Sequence, residues 1–512
     1  MQSASSDRIL LERFEADVSA RVPHIEGGKV VNPTPLVDVT AALRECARDE
    51  YGLHLDESFR VLAKFDSQII GGSVKVRPAS MIVGEALASG RLRSGQTVFE
   101  ATSGNFGLAL GMLGKLGLDV VALVSRRLQQ GVVDQLNKDG VRLVNLDIDI
   151  CPAPGMRGSA DLLVAKGVAA SVRKQLADLG FDPKVFDGVM ADAVELLAGQ
   201  DAIGLAKLLA QAYGGFCTEQ YENELNVDVH RNVTGPEIDA QLAELGSSLG
   251  RADLVCTFGT GGTAGGISGH IAAKHGRKGV RVVFPLAGQD VAGIRTKEKS
   301  VGLPFYSPEA YLGEHEADFE EASRLFEFFN KKGYDVGESG ALALFACMQL
   351  LNYGVGSEFV AMVADGASKY KTEVEAVARR GKRDQVRLDE AASSIREYGG
   401  VIWAHNMFVP KPEGVRVIAA SLGCEESAVK VADVKDVQAV LNGGEPSEGF
   451  EKLLPEDDKP VLVVCMAGNT SLMLAKVLER RGVAAESLVG GITGLPASRG
   501  KQPLELVQIS RR

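Results

Sequence analysis

LVCTF at 254–258, GTGGTAGG at 259–266 and ISGHIAAKHG at 267–276 follow one another without a gap. The first stretch is apolar throughout, as a strand buried on both faces requires. The second is a glycine-rich bend and the third has the spacing of a helix. The same succession returns in TVFEA at 97–101, SGNFG at 103–107 and LALGMLGKLG at 108–117, and again in PVLVV at 460–464, CMAGNTS at 465–471 and LMLAKVLERRG at 472–482. Strands alternating with helices in this way predict an α/β protein with parallel sheets covered on both faces.

Working outward, two stretches interrupt the alternation. Residues 169–214 read as consecutive helical segments with no strand between them. They predict a surface helical insertion or, alternatively, a lid or an oligomer contact. RRGKRDQVRLDE at 379–390 is charged and lacks apolar periodicity, so it reads as a linker between a region 1–378 and a region 391–512.

The 512 residues include 67 Asp and Glu against 56 Lys and Arg, a formal charge of −11, which argues against a general nucleic-acid binder. The apolar runs at 341–347 and 461–466 are too short to cross a bilayer. The seven cysteines (Cys46, Cys151, Cys217, Cys256, Cys347, Cys424, Cys465) are odd in number and form no Cys-x-x-Cys pair. That pattern reads as reduced thiols, and with a polar N-terminus lacking a signal core it sets the expectation of a cytoplasmic protein. No histidine pair has metal-ligand spacing, so no metal is expected.

Three loops carry the chemistry. GGSVKVRPA at 71–79 places Lys75 after a glycine turn and before a helix, where desolvation and the helix terminus would lower its pKa and favour a neutral amine able to form a Schiff base. A surface lysine is the plain alternative. Thr102, Ser103, Gly104, Asn105, Phe106 and Gly107 open a helix with hydroxyls, an amide and backbone N–H groups, suited to a carboxylate. Gly259, Thr260, Gly261, Gly262 and Thr263 can surround a phosphate with backbone N–H groups and hydroxyls. A phosphate-bearing cofactor, a lysine for its aldehyde and a carboxylate loop together point to pyridoxal 5'-phosphate.

In these motifs the chain resembles the fold-type II pyridoxal-phosphate enzymes, within them the cysteine synthase and cystathionine β-synthase branch. NPTPL at 32–36, QYEN at 220–223 running through His230 to TGPEI at 234–238, VGESGA at 336–341 and the segment 365–370 extend the likeness over roughly two-thirds of the chain. The resemblance implies two doubly wound α/β subdomains and a homodimer. It implies that Lys75 binds the cofactor covalently and serves as acid and base at Cα, and that Asn105 lies beside the phenolic oxygen. It assigns Thr102, Ser103 and Gln220, with the Gly104–Phe106 turn, to the substrate carboxylate, and Gly259 to Thr263 to the phosphate. Three positions depart from the family pattern. Phe106 replaces a threonine, Val76 an aspartate, and Asp365 stands where a serine usually faces the pyridine nitrogen. Asp365 would either hold that nitrogen protonated or cap the next helix.

The last quarter resembles the rhodanese sulfur carriers in C-x-x-G-x-T at 465–470, a following helix and LVGGI at 488–492, although no Asp-x-Arg signature follows the strand at 401–404. The resemblance makes Cys465 the sulfur-bearing residue, with 466–470 around its anion. The module is either catalytic or a structural or regulatory one.

The expected activity is β-replacement on an activated serine-type amino acid, with sulfur delivered by Cys465. The alternatives are β-elimination from cysteine or a conjugate, replacement by a non-sulfur nucleophile, and a cofactor-binding regulatory protein.

Overall fold

The computed structural model describes residues 2–56, 58–102, 104–114, 116–125, 130–146, 162–287, 289, 291, 293–367, 385–405, 410–441, 447–455, 459–465, 469–489 and 491–495. The chain divides into two compact units, Met1–Thr372 and Glu373–Arg512. Among the described residues no helix is long and apolar enough to cross a membrane.

The strands of the first unit begin with β1 (His24–Glu26), β2 (Lys29–Val31), β3 (Leu36–Asp38), β4 (Arg60–Phe65), β5 (Thr97–Ala101), β6 (Asp119–Ser125) and β7 (Arg142–Leu146). They continue with β8 (Asp253–Thr257), β9 (Val280–Pro285), β10 (Gly313–Ala317) and β11 (Glu358–Val363). A six-stranded sheet has the order β10-β9-β8-β11-β4-β3, parallel except for the antiparallel edge strand β3. Its central strands are apolar without alternation because both faces are covered. Ile238 and Leu242 of helix Gly235–Glu244 and Ile267 and Ile271 of helix Gly262–His275 pack with Leu254, Cys256, Val282 and Val360. The helix Glu338–Asn352 is buried at nearly every residue, as a helix apolar all round must be.

A second sheet, β5-β6-β7, is parallel and three-stranded. Its residues alternate between two separate cores, as the two-residue period of a strand dictates. Val98, Val120, Ala122 and Val124 join Phe14 and the helix Val76–Ala88 on one side. Phe99, Val121, Leu123 and Val144 join the helices Leu162–Asp178, Pro183–Gly188, Met190–Ala198 and Ala202–Ala212 on the other. The helical run at 169–214 covers one face of this sheet. Phe99 packs against Phe181 and Tyr213 with centroids 5.4 and 5.9 Å apart, and Phe99 N–H donates to Phe216 O at 2.8 Å.

The second unit is built on β12 (Gln385–Val386), β13 (Gly400–Ala404), β14 (Val429–Ala432), β15 (Val461–Val464) and β16 (Ala485–Leu488), a parallel sheet of order β12-β16-β15-β13-β14. The expected linker at 379–390 needs correction in its second half. Gln385 and Val386 pair with Ser487 and Leu488, and Ala391 of the helix Leu388–Ser393 is buried. Two buried apolar residues, Val386 and Ala391, anchor this charged stretch, too few to register as periodicity. Residues 379–384 lie outside the described residues.

Candidate active site

The lysine loop is fixed before the lysine itself is considered. Val74 N–H donates to Ala364 O at 2.7 Å and Ser73 bridges to Asp365, so residues 73–74 are pinned just beyond β11. Lys75 then leads into the helix Val76–Ala88. Its side chain is walled by protein yet keeps part of its surface open to a cleft of about 60 Å³. Desolvation pulls its pKa down to about 8; Asp365 opposes that shift and the Arg295 guanidinium adds to it. Among the described residues Lys75 Nζ makes no hydrogen bond.

Two residues beyond, Arg77 holds that helix in place from below. Its guanidinium grips both oxygens of Asp66 at 2.8 Å and donates to Glu237 at 2.7 Å. Lys64 Nζ binds Glu237 as well and donates to Thr34 O at 2.6 Å. All four charged side chains are 0% exposed. Two buried cations balance two buried anions, the condition under which such a network persists.

Opposite Lys75 lies the bend between β8 and the helix Gly262–His275. A Cβ on Gly259 would stand 2.8 Å from Gly293 O, and Gly261 has φ +92° with its absent Cβ facing Phe305 O at 2.7 Å. Only glycine fits either place. The bend's hydroxyls are tethered. Thr260 Oγ1 accepts from Asn226 Nδ2 at 3.0 Å, and Thr263 Oγ1 lies 3.2 Å from His230 Nε2. His230 Nδ1 contacts Thr234 Oγ1 at 3.0 Å, and burial drives the imidazole down to about 3, so it is neutral near pH 7. First-turn N–H groups of the helix face the same bend.

The third wall is the start of helix Asn105–Gly114. Asn105 Nδ2 donates to Asp365 Oδ2 at 2.7 Å, and Ser339 Oγ lies 3.5 Å from Asp365 Oδ1. Ala367 N–H donates to Asp335 Oδ1 at 2.9 Å. Thr102 Oγ1 accepts Gly104 N–H and Gly107 N–H, both at 3.1 Å, so it shapes the turn. Ser103 lies outside the described residues. Phe106 lines the cleft and is buried against the core.

The cleft thus brings together Lys75, Asn105, Phe106, Gln220, Gly259, Thr260, Gly261 and Thr263. Gly262 follows in the bend, and Asp365 joins through Asn105.

Sequence reading missed two groups here. Glu100 is buried under Gln220, whose Nε2 reaches Glu100 Oε1 and Ala101 O at 3.4 Å. Burial pushes the Glu100 carboxyl up to about 7, against hydrogen bonds from Thr218 and Gln220. Arg295 lies over the Tyr221 ring at 5.2 Å and donates to its hydroxyl at 3.1 Å. No motif pattern marks either residue, since each acts through a neighbour distant in sequence.

In the second unit Cys465 follows β15 and is 3% exposed. Ser471 Oγ donates to its sulfur at 3.3 Å and lies 2.8 Å from Ser487 Oγ, while Ile492 N–H donates to Cys465 O at 2.8 Å. Residues 466–468 of its loop lie outside the described residues.

A family model described as "Pyridoxal-phosphate dependent enzyme" matches residues 30–365. A cysteine synthase of Aquifex aeolicus is 28% identical over 359 residues, 67% of this chain and 90% of that protein. The O-acetylserine dependent cystathionine beta-synthase of Bacillus subtilis is 24% identical over 326 residues, 61% of this chain and 89% of that protein. Among solved structures, a mutant O-ureido-L-serine synthase with O-ureido-L-serine bound has a TM-score of 0.51 at 20% identity, covering 76% of this chain and 98% of the other. That likeness is one of fold.

The residues present fit the cofactor this match implies. An amine without a hydrogen bond suits an aldehyde, and a bend whose absent Cβ atoms would close it suits a phosphate ester. Asn105 and Gln220 bring side-chain amides to the same cleft.

Proposed function

The chain belongs to the family of pyridoxal-phosphate-dependent enzymes, and from that premise we propose that it replaces an activated oxygen substituent at Cβ of a serine-type amino acid with a sulfur nucleophile. The observation that supports this most is the amine of Lys75, held near a pKa of about 8 between the glycine bend and Asn105. The named relatives, a cysteine synthase and an O-acetylserine dependent enzyme, support the substrate class. When bound, pyridoxal phosphate supplies an electron sink that acidifies Cα–H and lets a substituent leave Cβ.

The rest falls to the chain's own residues. The Lys75 amine is matched to taking and returning a proton at Cα near neutral pH. Backbone N–H groups at 105–106 and Gln220 Nε2 hold the substrate carboxylate, which fixes the Cα–H bond toward Lys75. Gly259 to Thr263 hold the phosphate, with His230 keeping Thr263 in place. Phe106 narrows the cleft and excludes water. Asp365, joined to Asn105, would favour a protonated ring nitrogen on the bound cofactor.

We assign the second unit a rhodanese-like role, with Cys465 carrying sulfane sulfur as a persulfide that a small thiol reduces, releasing sulfide as the nucleophile and a disulfide. Its place after the central strand β15 and before the helix Asn469–Arg480 supports this. A covalent carrier on the same chain raises the effective concentration of the nucleophile.

Incubation with O-acetylserine, O-phosphoserine and cysteine, each with and without sulfide, followed by mass spectrometry, tests the reading. The expected result is a thiol amino acid from an O-activated serine and sulfide. Release of sulfide and pyruvate from cysteine with no replacement product would instead make the protein a lyase.

A further inference from the structure

The helix Gly262–His275 has chemistry at both ends. Its first turn borders the phosphate bend; its second half carries His270, Lys274 and His275, roughly 10–20 Å away along the axis. Facing that half is Asp239 of the helix Gly235–Glu244, a carboxylate whose side chain is 1% exposed. Asp239 Oδ1 accepts the backbone N–H of Leu249 at 2.9 Å, which turns Oδ2 toward the neighbouring helix. Onto that single oxygen converge His275 Nε2 at 2.7 Å, Lys274 Nζ at 2.8 Å and His270 Nε2 at 3.3 Å. The cluster has no part in the proposed reaction.

Two imidazole nitrogens at hydrogen-bond distance and an ammonium ion pair crowd one carboxylate oxygen. The arrangement also matches what a cation needs. The two imidazole nitrogens and the carboxylate oxygen all lie within 4.8 Å of one another. Ligand atoms about 2.0 Å from a tetrahedral metal stand roughly 3.3 Å apart. The His270–Asp239 separation already has that value, and the His275–Asp239 one needs about half an ångström more. Two glycines make the convergence possible: a Cβ on Gly235 would overlap the His270 ring, and one on Gly250 would stand 2.9 Å from His275 Nδ1.

We propose that His270 Nε2, His275 Nε2 and Asp239 Oδ2 bind a divalent transition metal of borderline softness, zinc foremost, with a fourth position open to solvent. Two imidazoles and one carboxylate suit such an ion, whereas magnesium and calcium prefer oxygen ligands throughout. On binding, each imidazole carries its N–H on Nδ1, leaving Nε2 to coordinate, and the Leu249 N–H supplies the outer hydrogen bond that orients the carboxylate. Lys274 yields its place. Its side chain is 56% exposed, so the ammonium moves into water at the small loss typical of a surface ion pair. The ion would clamp helix Gly235–Glu244, which also carries Glu237 of the buried charge network, to the far end of the phosphate-binding helix.

The test is titration of the full-length, cofactor-loaded protein with Co²⁺, read as a visible difference spectrum, followed by displacement with Zn²⁺. The expected result is one Co²⁺ per chain in a nitrogen and oxygen field, displaced by one Zn²⁺. His270→Gln and His275→Gln should each weaken binding about tenfold or more, with unchanged circular dichroism. Lys274→Ala should bind as tightly as the parent or more tightly, and Cys465→Ser equally. The proposal is overturned by no stoichiometric binding, by thiolate-to-cobalt charge transfer, by equal binding in both histidine variants, or by a severalfold loss in Lys274→Ala. Should the histidine variants fail to fold, the parent spectrum and Lys274→Ala decide the matter.

Discussion

The bend after β8 and the segment after β15 share one construction: a buried parallel strand ends and, a few residues on, a helix begins. Their surroundings differ. The bend at 259–263 is crowded by Gly293, Phe305 and Asn226 from three other segments, and its hydroxyls are held by Asn226 and His230. Its shape is set from outside, around a space. Cys465 is instead turned inward, and the serine hydroxyls beside it come from its own helix and the adjacent strand β16. The strand–loop–helix pattern says where a site can sit. Residues converging from elsewhere say which ligand it is built for.

The largest effect that would sharpen this contrast is at Lys75. Lys75→Ala should lower turnover by on the order of a thousandfold or more, because one amine both holds the cofactor and moves the Cα proton. Steady-state product formation measures it. If Cys465→Ser matched that loss with free sulfide as donor, the two loops would be equally committed and the contrast would fail.

Next in size is Arg77→Met, which strips two buried carboxylates of their shared partner. A loss of about 3–5 kcal/mol in unfolding free energy is expected, read by urea denaturation of the first unit's transition. A change below about 1 kcal/mol would mean the network does not hold the lysine helix.

Glu100→Gln should act through pH. Burial raises the Glu100 carboxyl from 4.5 to about 7, so between those values the folded chain keeps a proton that the unfolded chain has released. The stability Glu100 contributes is full below 4.5 and is lost as pH rises through 7. The glutamine variant should remove that decline, seen as a flatter curve of melting temperature against pH. An unchanged curve would count against a buried acid beneath Gln220.

The smallest effect on turnover with free sulfide is expected at Cys465. Cys465→Ser should leave that turnover within about twofold and abolish product formed from thiosulfate in the presence of a thiol reductant. Equal rates with both donors would leave the second unit without a sulfur-carrying role.

The three β-loop-α repeats were legible because glycine and apolar runs are local signals. The strand read at 97–101 forms at those residues, and the one read at 254–258 is shifted by a single residue. The helices at 162–212 were legible as helices but not as the cover of β5-β6-β7, because their apolar faces meet Phe99 and Val144 across a long span of sequence. Residues 385–390 were hidden by charge, since Val386 and Leu388 are the apolar residues they bring to the core. In the site, Lys75, Asn105 and the glycine bend were readable from residue type and order. Glu100 and Arg295 were not, because their influence passes through Gln220 and Tyr221. Asp239, His270 and His275 escaped for a related reason: two histidines five residues apart on one helix converge only through a carboxylate on another.

The central claim is that Lys75 is the residue that holds the cofactor's aldehyde. Borohydride reduction of the loaded protein, proteolysis and mass mapping test it most directly. The pyridoxyl mass should appear on the peptide containing Lys75 and on no other. Its appearance on a different lysine, or no incorporation at all, would contradict the account.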